Sequence, residues 1–379
     1  MRILLNCSTL MKGGSLQVAQ SVLQDCMKDR EIEWYFALTV ALYEQWEPFL
    51  KESHLQGRLI LLNKSPARSY KIRKQLKAKV KDLSLNAVFT LFGPAYVKFS
   101  IPHLCGIADG WVTHSNKNAF ELLPTIKEKI KVFLLCRYKL WWYQQAEKWC
   151  VEAQIAKDGF LTKTKSKPQD ITVIANAVNH LFQDYSTQII ERNLTDSIKI
   201  FCLGADYWHK NYQIIPSILA HLKNKITKEI IFFVTLPEHS AVFMNLMSLA
   251  KEKKVDHLIM NLGPISLEKV IEQYKKCNIL FFPSVLETFS ITPLEALYMN
   301  MPMIISNIPA NIEVLKEHAI YVNSLDVNEI TEKLMQLISN YSLEVQKLQE
   351  LKRNNYFKSV STTQNRFTDY KNILKTMIN

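Results

Sequence analysis

The stretch Ile279–Ser306, ILFFPSVLETFSITPLEALYMNMPMIIS, decides how the rest of the chain is read. Its first four residues, Ile279–Phe282, form a short apolar run of the kind that makes a buried parallel strand, and Pro283-Ser284 ends it. The loop Val285–Ser290 then leads into Thr292-Pro293-Leu294-Glu295. A threonine cap, a proline at the first helical position and a glutamate three residues after the cap together predict a helix start. A second apolar run within Met301–Ser306 reads as the next strand. A helix that opens over the carboxyl end of a parallel strand offers free N–H groups and a positive dipole end, which suit a phosphate or diphosphate. Glu287 and Glu295, eight residues apart, frame this place, so both can reach hydroxyl groups of a ligand whose phosphates rest on the amides between them.

Pro283-Ser284, Glu287-Thr288-Phe289-Ser290, Leu294-Glu295-Ala296-Leu297 and Met301–Ser306 resemble the E-x7-E signature of the family 4 retaining glycosyltransferases, of group 1 glycosyl transferase type and GT-B fold. The resemblance implies that Glu287 contacts the donor sugar, that the amides of Phe289, Ser290 and Ile291 hold sugar and diphosphate, and that Glu295 binds the ribose. Three positions depart from the family: Thr288 and Ser290 stand where glycines are common, and Asn300 where a helix-ending glycine is usual. Asparagine tolerates a left-handed cap, so the last change is mild, whereas Ser290 is expected to narrow the approach to the donor. Taken singly, Glu295 is explained as the partner of Thr292 in a capping box and Glu287 as a solvated loop carboxylate. Strand, loop, capped helix and second strand at this spacing favour the donor site over that plainer reading.

At 379 residues the chain is too long for one ordinary core, and 48% hydrophobic with 22% charged residues is the balance of a globular protein. No run of about 18 apolar residues occurs, and Met1–Asn6 reads as a first strand, too short for a secretory signal, so a cytoplasmic protein is expected. Seven cysteines are scattered without C-x-x-C pairing, which points to reduced core residues. The net charge of +12 favours an anionic partner: a nucleotide-sugar, an anionic membrane surface or a nucleic acid. Nucleic acid is not expected, because no helix-turn-helix, zinc-finger or RNP-type aromatic pattern is found. No Asp-x-Asp triplet occurs either, and neither a metal nor a cofactor is expected.

Short apolar runs alternating with helical segments predict an α/β chain of doubly wound parallel sheets. The resemblance extends this to GT-B, two Rossmann-like domains facing across a cleft: residues 1–180 for the acceptor, residues 181–360 for the nucleotide-sugar, and a helix at 361–379 crossing back to the first domain. The hinge is placed near residues 179–195, a polar stretch of weak periodicity. In the first domain Ile3–Cys7 reads as a strand and Leu16–Met27 as an amphipathic helix. Between them Gly13-Gly14 lets the backbone approach a ligand, and the resemblance puts that loop on the donor diphosphate. The family's His-Asp pair reads Ala108-Asp109 here, which leaves Asp109 and His114 as candidates at the acceptor hydroxyl, with Asp-Gly turn chemistry as the rival for Asp109. Lys127–Trp149 is unusually basic and aromatic. It reads either as an amphipathic helix or helix pair at a membrane interface, or as an ordinary core helix. In the second domain Lys210 matches the family's diphosphate lysine, while Ala205 replaces its arginine and leaves His209 to compensate.

These readings converge on a retaining, metal-independent glycosyltransferase. It would move a sugar from a UDP- or GDP-linked donor to a hydroxyl of a saccharide or lipid-linked saccharide in cell-surface polysaccharide synthesis, in the cytoplasm with peripheral association on an anionic membrane. The alternatives are a GT-B epimerase or hydrolase of nucleotide-sugars, and a non-catalytic basic membrane- or RNA-binding protein of the same fold.

Overall fold

The computed structural model describes residues 1–10, 14–50, 55, 57–223, 225–360 and 362–378. The chain divides into two compact units, one of Met1–His114, Lys127–Asn179 and Ser361–Asn379, the other of Ser115–Ile126 and His180–Val360.

In the first unit seven strands are formed by short apolar runs: β1 (Arg2–Asn6), β2 (Glu33–Thr39), β3 (Leu59–Leu62), β4 (Ala87–Thr90), β5 (His103–Ile107), β6 (Lys148–Val151) and β7 (Ile171–Val173). They pair in parallel in the order β3-β2-β1-β4-β5-β6-β7. Every residue of β4 and β5 is buried, which is what a parallel sheet covered on both faces requires and why these strands read as continuous apolar runs. The basic helix Tyr70–Asp82 turns Ile72, Leu76 and Val80 to the core, at the four-residue spacing that keeps one face apolar, and its lysines to solvent.

The helix Thr363–Ile378 covers the same sheet. Its Phe367 ring lies 6.1 Å from Trp34 and its Tyr370 ring 4.8 Å from Phe89, and Lys371 pairs with Asp29 at 3.0 Å. Arg366, fully buried, reaches Asn176 and Ser21.

Of the alternatives open for residues 127–149, the single helix is the one that forms: it runs Ile126–Tyr143 and ends at a turn through Gln144-Gln145, short of the expected end at Trp149, and β6 begins at Lys148. The chain breaks there because Trp149 is drawn into the core against Phe160, 5.4 Å between rings, with its indole N–H donating to the Tyr143 carbonyl.

The second unit repeats the plan with β8 (Ser197–Cys202), β9 (Glu229–Val234), β10 (Ile259–Asn261), β11 (Ile279–Phe282), β12 (Met303–Ser306) and β13 (Ile320–Val322). Their order is β10-β9-β8-β11-β12-β13, again all parallel. Winding runs outward from β8 in one direction and from β11 in the other. The crevice at the carboxyl ends of β8 and β11 is therefore the topological switch point, where open α/β sheets take their ligands.

Candidate functional site

Two loops leave the sheet at that switch point, one after β8 and one after β11. Gly204 belongs to the first, where a Cβ would stand 2.7 Å from the Tyr212 hydroxyl and 3.6 Å from Cδ of Lys210, so only glycine fits under the lysine stem. Lys210 closes a short 3-10 turn, Trp208–Lys210, and Asn211 follows in the left-handed conformation at φ 56°, donating to the Ser324 carbonyl at 2.6 Å. The second loop is strapped to the first: Val285 N–H donates to the His209 carbonyl at 2.9 Å and the Ser284 hydroxyl to the same oxygen at 3.3 Å. Asn116, from the segment clustered with this unit, donates to the Val285 carbonyl at 2.8 Å.

The strapping brings Glu287 to Lys210. Nζ lies 2.6 Å from Oε1, both side chains are largely buried, and the ammonium also sits 4.8 Å above the Phe282 ring at the end of β11. A charge-assisted pair this short, shielded from bulk water, holds its geometry far better than a surface pair does. Of the residues singled out in the sequence, Lys210, Glu287, Phe289, Ser290, Ile291 and Glu295 are all brought to this corner of one unit.

The helix start differs from the sequence expectation. The helix runs Ile291–Tyr298 with Ser290 at the cap position, and no capping box forms. Ser290 donates instead to the Asn311 carboxamide, whose own NH2 is held by the Ser306 carbonyl at 2.8 Å. Its hydroxyl thus turns into the interior, away from the helix mouth, and leaves the first-turn amides without a cap from this side chain.

Glu295 does not reach back to the helix start either. It is 3% exposed, and Tyr274 donates to its Oε2 at 3.1 Å while lying 2.9 Å from the Thr292 carbonyl. Tyr274 is itself wedged edge-on between Phe182 and Phe201. Burial pushes the Glu295 carboxyl up to about 8, with the Tyr274 hydrogen bond only partly opposing it. Asn300 adopts the left-handed conformation at φ 50°, and its side chain ties the helix end to Ile190 N–H and the Leu348 carbonyl.

The Glu295 shift has a testable sign. The folded state keeps a proton that the unfolded state has released, so Glu295 stabilises most below the unfolded carboxylate value. That contribution is lost as pH rises from about 4.5 to about 8, at up to about 1.4 kcal/mol per pH unit. Denaturant titrations of wild type and Glu295→Gln should diverge with this slope. The difference is the readout because Lys352, pulled down to about 7 by burial, contributes the opposite slope above that pH. Parallel curves would remove the neutral-carboxyl assignment.

Gly14, Asp109 and His114 lie in the first unit, at the carboxyl end of its sheet. Gly14 opens the helix Gly14–Lys28 beyond β1, with open space where a Cβ would stand, and Gly13 lies outside the described residues. Asp109, just past β5, accepts from Val112 N–H at 3.3 Å and from Lys139 at 2.8 Å. Burial works against the charge of Lys139, but the Asp109 carboxylate outweighs it and raises its pKa. Asp109 thus performs the turn capping that was its rival reading, with a cation beside it. His114 shares a 2.8 Å hydrogen bond with Thr113 at the end of the short helix Gly110–His114. Against that helix a Cβ at Gly159 would stand 2.4 Å from the Thr113 carbonyl. His209 stacks on Tyr207, with ring centres 5.4 Å apart and planes 12° apart.

Sequence reasoning missed Tyr274 and Asn311. Each orients a site residue from a helix outside the signature, and the only signal at Tyr274 was its place on the apolar face of the amphipathic helix Leu267–Lys276.

Residues 186–356 match the family described as glycosyl transferases group 1. The O-antigen chain mannosyltransferase RfbU of Salmonella typhimurium is 28% identical over 171 residues, which are 45% of this chain and 45% of that protein; the match thus spans less than half of that relative. Among solved structures, a glycosyltransferase from Rickettsia africae superposes with a TM-score of 0.72 at 16% identity, covering 100% of this chain and 98% of its own. HepE of Anabaena, in complex with UDP and glucose, does so at 0.70 and 11% identity, covering 99% and 100%. The fold shared with these structures is GT-B.

Proposed function

We propose, from the premise that residues 186–356 belong to the group 1 glycosyl transferases, that the chain is a retaining glycosyltransferase using a nucleotide-diphosphate-sugar. The observation that carries the proposal is the buried Lys210–Glu287 pair, 2.6 Å apart at the β8/β11 switch point beside the start of the helix Ile291–Tyr298. Cleavage of a glycosyl-diphosphate bond develops negative charge on the leaving phosphate. Lys210 and the amides of Phe289, Ser290 and Ile291 are donors fixed in advance to receive that charge, which is the arrangement that lowers such a barrier most. No metal is needed in this account. Glu287 then faces the sugar, and Glu295 holds the ribose. Asp109 and His114 are assigned to the acceptor side and Gly13-Gly14 to the donor diphosphate. The acceptor is a hydroxyl of a saccharide or lipid-linked saccharide in lipopolysaccharide-type polysaccharide synthesis, a reading supported by the O-antigen relative. Such acceptors are presented at the inner face of a membrane, and the +12 charge suits peripheral association there. No helix of the described residues is long and apolar enough to cross a bilayer.

Calorimetric titration with UDP and with GDP, without added metal, tests the donor site. One nucleotide should bind saturably, and Glu295→Ala should weaken it about tenfold, equivalent to about 1.4 kcal/mol. No saturable binding of either nucleotide to folded protein would overturn the proposal.

A further inference from the structure

The helix Ile126–Tyr143 is at odds with the rest of the molecule. Seven of the sixteen large hydrophobic side chains exposed among the described residues lie on it, and of its eighteen residues only Tyr143 is fully buried. At 3.6 residues per turn, Ile126, Ile130, Phe133, Leu134 and Trp141 fall within an arc of about 100°. Ile126 is 75%, Leu134 58% and Trp141 54% exposed. The stripe escaped the sequence because it runs on without a break into apolar residues that face inward, Cys136 and Leu140, packed on the β5–β6 core.

Cations lie within and beside the stripe. Arg137 falls inside the same arc and Lys127 and Lys131 lie along one edge of it, all three exposed. Tyr138 joins the helix to the basic helix Tyr70–Asp82 through a 3.0 Å hydrogen bond from Arg73, whose guanidinium also lies 4.9 Å over the Trp142 ring. That neighbour adds the exposed lysines Lys71, Lys74 and Lys77. An apolar stripe with a tryptophan and a phenylalanine, rimmed by cations that can reach past it, matches the interface of an anionic bilayer. It does not match a second copy of this chain, whose own cations would meet these head on.

We propose that the helix Ile126–Tyr143 is a monotopic docking surface for anionic phospholipid, lying in the plane of the interface with Ile130, Phe133, Leu134 and Trp141 among the acyl chains. The basic helix Tyr70–Asp82 reaches phosphate headgroups beside it. This deepens the reading of the function given above by naming the surface, and rests on that reading only for the purpose the binding serves.

Sedimentation with phosphatidylcholine vesicles, with and without a third of phosphatidylglycerol, tests it on the full chain. Wild type should bind the anionic vesicles, weaken with added salt, and shift its tryptophan emission to the blue. Phe133→Glu with Trp141→Ser should reduce partitioning about tenfold or more. Lys127→Glu with Lys131→Glu should lose mainly the preference for anionic lipid. Circular dichroism and nucleotide titration on the same preparations show that the variants are folded, and separate failure of this surface from failure of the donor site. Equal binding by wild type and the Phe133/Trp141 variant, or none by wild type, would overturn the proposal. So would a lipid-free dimer abolished by the same variant, which would make the stripe an interface between copies.

Discussion

Glu287→Ala should lower the rate of sugar transfer by about three orders of magnitude while the protein stays folded. Glu287 is tied to the sheet through a chain of short contacts: the loop is strapped to the His209 carbonyl, and the carboxylate is fixed on Lys210 at 2.6 Å. On the proposed function, removing it takes one charged group from beside the donor sugar and frees Lys210 to turn toward the vacated space. Deleting a single preorganised charge or donor of this type costs about 10² to 10³ in kcat. The variant should fold at some cost in stability, because the largely buried ammonium keeps its contact with the Phe282 ring but loses its counter-charge. Lys210→Ala should be similarly impaired, and the double variant much less than the product of the two, since each single change already disables the pair. Label transfer from the sugar-nucleotide into membrane-extracted acceptor gives the rate, and thermal melting the fold. A folded Glu287→Ala protein with normal transfer would remove this carboxylate from the reaction.

Arg192→Ala should cost about 4 kcal/mol of unfolding free energy. Arg192 is 7% exposed and meets no carboxylate among the described residues. It donates to three carbonyls: Cys277 at 2.6 Å, Tyr274 at 2.5 Å and Met299 at 2.9 Å. These oxygens belong to the last turns of the helices Leu267–Lys276 and Ile291–Tyr298. Helix ends leave carbonyls unpaired and carry partial negative charge, so one cation closes two helices at once. Burial pulls the Arg192 pKa below its ordinary value, but the carbonyl cage leaves the guanidinium hydrogen-bonded and charged. Alanine strands all three oxygens away from water. Methionine, which restores the volume, should rescue little, and lysine only part, because a point charge cannot span three acceptors. Guanidinium titration followed by circular dichroism measures the loss. An Arg192→Ala midpoint within error of wild type would show that water replaces the guanidinium at no cost.

Arg192 also marks where reading the sequence stops. It lies in the polar stretch 179–195, which reads as a hinge, and its partners are 82 to 107 residues away. A buried cation with carbonyl partners leaves no trace in local pattern, since any backbone can supply the acceptors. The same holds for Tyr274 on Glu295 and for Asn311 on Ser290. Each pairing joins side chains about twenty residues apart that only the packing of different helices brings together.

What the sequence by itself determined was everything carried by short-range pattern. The apolar runs located β1 to within a residue and β11 at its observed bounds, because a strand buried on both faces must be apolar throughout. The strand–loop–helix pattern put Glu287 on a loop at the carboxyl edge of the sheet, where the structure has it beside Lys210. Asn300 was legible as a left-handed helix end because few other residues tolerate φ near 50°. Tertiary structure alone decided three things: that Ser290 turns inward, that Glu295 is buried as a high-pKa carboxyl on Tyr274, and that Ile126–Tyr143 keeps one apolar face in the open. The reason is common to all three. Periodicity states which residues share a face, but whether that face meets protein or solvent depends on elements far along the chain.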